Sequence, residues 1–71
     1  MSMGSDYEVE YVDSVAYQGT DIVHANSPID AAQKRVSQDN IPESQLRDML
    51  IRAYPVGDPL NDEQFNGTQF L

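Results

Sequence analysis

The sequence predicts an α+β domain: a small three-stranded sheet in ββαβ order, packed against one helix and followed by an extended C-terminal tail. Three observations predict it. Polar and apolar residues alternate up to Ala25, the two-residue period of a half-buried strand. The rhythm changes at Ser27 to a helical period, behind residues suited to a helix entry. A third apolar run, Met49 to Tyr54, then ends in proline. The chain has 71 residues, room for one domain near the lower size at which a single apolar core suffices. It divides into a flexible arm (1–5), the domain (6–55) and a turn-rich tail (56–71).

In YEVEYV, Tyr7, Val9 and Tyr11 share one face while Glu8, Glu10 and Val12 share the other. β-Branched and aromatic side chains fit the pleat, so this is the first strand. DSVAYQG has turn formers at both ends, and Gly19 can take the positive φ that reverses a chain. TDIVHA returns as the antiparallel partner. Val15 and Tyr17 suit either a strand extension or the loop, so the pattern leaves the register open.

Four signals place a helix at NSPIDAA. Ser27 can accept from the free amides of the first turn, and Pro28 stands where its missing N–H costs nothing. Asp30 completes a Ser-x-x-Asp box and lies near the positive end of the helix. Ile29, Ala32 and Val36 form a narrow inward stripe, with Lys34, Arg35 and Gln38 expected outside. Asp30 and Lys34 make an i,i+4 pair of favourable polarity. The pattern stops after Asn40, before Pro42.

QLRDMLIRAYPV has two periods. Leu46, Met49, Leu50 and Ala53 repeat as a helix; Met49, Ile51 and Ala53 alternate with Leu50, Arg52 and Tyr54 as a strand. A strand at Met49 to Tyr54 is favoured, because a lone hairpin and one helix bury little, whereas a third strand beside the first completes a sheet that the helix can cover. In the tail, Pro55, Gly57, Pro59 and Gly67 mark turns. Val56, Leu60, Phe65, Phe70 and Leu71 are spaced too widely for their own core and suit single anchors laid on this domain or on a neighbour.

Twelve acidic residues against four basic ones give a formal charge of -8. Such a field repels nucleic acid and anionic membranes and favours a basic protein surface as partner. Salt adaptation or solubility, docking on a basic or nucleic-acid-handling protein, and imitation of nucleic acid each account for it. The absence of cysteine removes disulfides and thiolate metal sites. MSMGSDYEVE has neither the basic nor the apolar part of a secretory leader, and no apolar run is long enough to span a membrane. The expectation is a cytoplasmic protein.

Catalytic and ligand-binding patterns are missing. His24 is the single histidine, too few for an imidazole metal site or a hydrolase triad, and no GxSxG accompanies the serines. The glycines are isolated, so no phosphate-cradling loop forms. DPLNDEQFNG has oxygen ligands without the calcium-loop spacing, and NGT at Asn66 fits a glycosylation pattern without a secretory leader to use it. Glu8 and Glu10 make a wet acidic face rather than a strained acid–base pair. No cofactor and no metal are expected, and the chain is expected not to be an enzyme.

YEVEYVDS, TDIVHANSPIDAA and LIRAYP, in that order and covering most of Asp6 to Pro55, resemble the small host RNA polymerase inhibitor protein of T7-type phages. The resemblance implies an acidic protein that docks on the polymerase through arginine on its third strand. Arg52 matches the first such position; the second falls on Tyr54, a departure from the pattern.

The functional expectation is a non-catalytic acidic protein-binding module, with Arg52, Tyr54, Glu8, Glu10, Phe65 and Phe70 as partner-binding residues. Its partner is a larger protein with a basic surface, without direct contact to nucleic acid or membrane. The alternative is a structural or decoration subunit, such as a virion component, whose partners are copies of itself and whose tail orders against neighbours.

Overall fold

The computed structural model describes residues 4–12 and 14–71. In chain order these form β1 (Ser5–Val12), β2 (Thr20–Ala25), α1 (Pro28–Asp39), the single turn α2 (Glu43–Leu46), β3 (Leu50–Pro55), β4 (Glu63–Asn66) and a closing 3-10 turn (Gly67–Phe70). The strands form one sheet in the order β2-β1-β3-β4, with every neighbouring pair antiparallel.

Alternation along the strands sorts side chains onto two faces. Val9, Tyr11, Val23, Ala25, Ile51, Ala53 and Phe65 turn to one side and form the core with Ala31, Ala32 and Val36 of α1 and Leu46 of α2. Ile51 and Val9 are its fully buried large side chains. The other face of the sheet carries no helix.

The helix begins where the entry residues indicated. Ser27 Oγ accepts from the Asp30 amide at 3.2 Å, Pro28 occupies the first turn, and Asp30 Oδ2 accepts from the Asn26 amide at 3.0 Å. That last bond, helped by Lys34, holds the Asp30 carboxyl below its ordinary range. At the other end Asn40 takes φ 50°, a left-handed stop. Ser27→Ala is expected to lower stability by about 1 kcal/mol, read as a lower urea midpoint with an unchanged slope.

The structure corrects the inward stripe of α1. Ala31, Ala32, Arg35 and Val36 are buried, whereas Ile29 is 43% exposed. Two adjacent alanines let the helix backbone approach the sheet closely, and that rotation carries Arg35 inward. Its Nη1 donates to the Val9 carbonyl and, at 3.3 Å, to that of Gly19. The guanidinium lies 4.5 Å from the Tyr11 ring centroid, and Nε is 3.4 Å from Asp39 Oδ2, an ion-pair contact without hydrogen-bond geometry. Tyr11 in turn donates its hydroxyl to Asp39 at 2.7 Å.

Burial, followed by the hydrogen bond to Asp39, pushes the Tyr11 phenol well above its ordinary value of 10.0. Tyr54 is shifted in the same direction. Above about pH 10 the unfolded chain therefore releases phenolic protons that the folded chain retains. This contribution to stability is complete below the unfolded value and is lost as pH rises toward the folded one. The urea midpoint is expected to fall on raising the pH past 10, with a shallower fall in Tyr11→Phe, which leaves only the Tyr54 share.

The ambiguous third segment takes its strand period, Leu50–Pro55, and the helical one is not formed: the single turn at Glu43–Leu46 ends where that period would begin. Three further expectations change. The sheet has four strands, not three: β4 pairs with β3 through Ile51↔Phe65 and Ala53↔Glu63. The tail is not extended, because Gly57, at φ 82°, helps turn the chain back to form β4 and the 3-10 turn. Order starts before Asp6, since Ser5 pairs with Ala25; Met1, Ser2 and Met3 of the expected arm lie outside the described residues.

Candidate protein-interaction face

The uncovered face is built from the alternate residues that the core does not use. β1 contributes Asp6, Glu8 and Glu10, β2 contributes Ile22 and His24, and β3 contributes Arg52 and Tyr54. Register sets their neighbours: Asp6 lies opposite His24, Glu8 lies between Ile22 and Tyr54, and Glu10 lies opposite Arg52. Ile22, on the edge strand β2, is 60% exposed opposite Glu8.

Arg52 organises the far half of the face. Its Nη1 donates to Glu10 Oε1 at 2.8 Å, Nε to Asp62 Oδ2 at 2.7 Å and Nη2 to the Pro59 carbonyl at 2.7 Å. The guanidinium also lies 4.5 Å from the Tyr54 ring centroid. These bonds draw the β3–β4 loop toward the face and leave Leu60, beside Pro59, 95% exposed. Hydrogen bonds to Glu10 and then Asp62 raise the affinity of Arg52 for its proton. The same bond from Arg52, seconded by Gln64, holds the Asp62 carboxyl below the usual 3.8. Tyr54 titrates above its ordinary range because of burial and then the charge of Glu8.

Asp62 supplies an acid-side linkage. A carboxyl with a depressed folded value stabilises fully above the unfolded value, and this is lost as pH falls through the folded one. Amide resonances of Leu60 to Asp62 are expected to move below about pH 3.8, and Arg52→Gln should shift that step to higher pH. A loop indifferent to both pH and Arg52 would contradict the pinning.

The residues predicted as partner-binding divide. Glu8, Glu10, Arg52 and Tyr54 come together on the open face, and the strand geometry puts Arg52 and Tyr54 on one side. Neither is free on a sheet edge, as a partner-binding role would favour: β3 lies between β1 and β4, Tyr54 is 8% exposed, and all three guanidinium nitrogens of Arg52 bond acceptors in the same chain. Phe65 and Phe70 are not free anchors. Phe65 is 9% exposed in the core, with Phe70 edge-on to it at 6.1 Å between ring centroids.

Sequence reasoning passed over Asp6, Ile22 and Asp62 as residues of this face, and read Leu60 only as a tail anchor. The hairpin register could have found the first two. Asp62 and Leu60 depend on the fourth strand, which only the single buried Phe65 signals. His24 is exposed and bonded to Asp6 at 2.9 Å. Among the described residues no group of three or more His, Asp or Glu side chains is arranged to hold a metal, and no helix is long and apolar enough to cross a membrane. The chain matches no protein-family model, no curated protein and no solved structure.

Proposed function

We propose that the chain is a non-catalytic acidic protein-binding module that docks its uncovered sheet face on a basic surface of a larger protein. The carrying observation is the charge arrangement of that face. Asp6, Glu8, Glu10 and Asp62 outnumber the single guanidinium of the face, whose three nitrogens all bond acceptors within the chain, and Ile22 is exposed at the β2 border opposite Glu8. Carboxylates beside an exposed apolar side chain steer a cationic partner and then give it surface to bury. Two concavities among the described residues, beside β2 and beside Tyr17, are open to solvent, which suits binding better than water-excluding chemistry.

A nucleic-acid enzyme such as RNA polymerase, with the chain as its inhibitor in the host cytoplasm, is the finer form implied by the resemblance to the phage protein. In that form the contacts move from Arg52 to the carboxylates, because Arg52 is spent within the chain. The assembly-subunit alternative drew on a tail that orders only against neighbours. Here the tail packs on its own domain, so no observation favours that reading.

Affinity capture from host lysate over a salt series tests the proposal. A stoichiometric basic protein should be retained at low salt and released as salt rises. Glu8→Lys should weaken capture about tenfold, while Glu43→Lys, on α2 away from the face, should not. Equal loss from both variants, or no partner at low salt, overturns the proposal.

A further inference from the structure

The face is bounded by two sheet edges, and they are not equivalent. On β1, the Asp6 carbonyl accepts from the Val56 amide at 3.3 Å, so the even-numbered residues of β1 turn their backbone groups toward β3. The odd-numbered ones therefore bond β2, and register carries the parity across: Asp21, Val23 and Ala25 face β1, while Thr20, Ile22 and His24 turn N–H and C=O outward. Two observations agree with this assignment. The His24 carbonyl accepts from Lys34 Nζ at 3.0 Å, and the next even amide, that of Asn26, is taken by Asp30.

Side chains of α1 thus cap one end of the β2 edge, leaving the backbone groups of Thr20 and Ile22 and the amide of His24 without partners among the described residues. The opposite edge is guarded. β4 has four residues, and the outward amide of Asn66 is taken by Gln69 at 3.1 Å. Between the β2 edge and α1 runs a groove of about 590 Å³ whose helix wall is Asp30, Gln33, Lys34, Ser37 and Gln38. An unpaired edge beside a groove that accepts alternate side chains is the geometry of strand addition.

We propose that an extended, basic segment of the partner adds to β2 as a fifth strand. This rests on the module reading and names the form in which that partner binds. Charge selects the occupant. Glu8 stands across β2 from Ile22 and Asp6 from His24. A strand laid on the edge sits about 5 Å beyond β2, so its lysines or arginines on the open-face side reach these carboxylates. Its alternate side chains enter the groove. A second copy of this chain would bring its own charge of -8 to the same edge, which opposes self-pairing.

The probe is a terminally blocked hexapeptide alternating lysine and valine, added to the full chain at low salt. Amide resonances of Ile22 and His24 should shift, and exchange at Ile22 should slow about tenfold or more. The same peptide N-methylated at alternate residues should bind about tenfold more weakly or not at all. Ile22→Pro removes an outward donor without touching the β1–β2 ladder; where its spectrum remains folded, it should lose the peptide.

Equal binding of both peptides, with shifts confined to Asp6 and Glu8, overturns strand addition and leaves the acidic-face reading intact. So does absence of peptide binding while lysate capture stays sensitive to Glu8. A dimer with Ile22 already protected before peptide is added assigns the edge to a second copy and also overturns it. Peptide binding at the edge without any captured protein supports the edge and removes the face reading.

Discussion

Arg35→Ala is expected to lower the unfolding free energy by about 3–5 kcal/mol, a large part of the roughly 4–10 kcal/mol that a domain of this size has. The side chain is 6% exposed and joins α1 to the sheet by bonds to the Val9 and Gly19 carbonyls, by stacking over Tyr11 and by its contact with Asp39. Alanine removes all of these and leaves Asp39 without its cation and the arginine stem volume empty. Arg35→Met separates the contributions, because it refills the volume without the charge. It should recover about half of the loss, and a methionine as damaging as alanine would show that the bonds, not packing, dominate. Chemical denaturation of the three proteins measures both steps.

Gly67→Ala is expected to cost about 3 kcal/mol, the upper part of the usual range for overpacking. A Cβ built at this position would come 1.8 Å from the Leu46 carbonyl oxygen, a backbone atom that no rotamer change can move aside. Gly67 also donates its amide to the Met49 carbonyl at 2.8 Å, so the 3-10 turn is fixed against the end of α2 from two directions. Relief requires the closing turn to move away from α2 and Phe70 from Phe65. A lower urea midpoint together with shifted ring resonances of both phenylalanines is the expected outcome. A fully stable Gly67→Ala would mean that this contact yields without cost.

The elements whose signals are local were legible in the sequence. The alternation of β1, the turn chemistry before β2 and the Ser27–Pro28–Asp30 entry each depend on residues within one or two turns of chain. β4 was not legible, since a four-residue strand with one buried side chain offers almost no period. Arg35 failed for a different reason. A guanidinium is expected outside unless acceptors are known to await it, and its acceptors are carbonyls on two distant segments. The candidate site shows the same division. Glu8 and Glu10 could be placed on one face by counting in twos, but the use of Arg52 to hold the β3–β4 loop needs Asp62 and Pro59, positions that only the fourth strand brings near. Phe65 and Phe70 were spaced like anchors and are anchors, with their own domain as the surface they grip.

The position of β1 also bears on how the molecule assembles. It joins β2 through a short connection, and β3 joins β4 through another, so each half can form from nearby chain on a microsecond scale. The seam between halves, where Glu10 meets Arg52, closes only after the intervening helical segment has been spanned, and such distant pairings slow a small protein most. Substitutions at that seam should therefore retard refolding, whereas changes confined to the far end of β4 should mainly hasten unfolding.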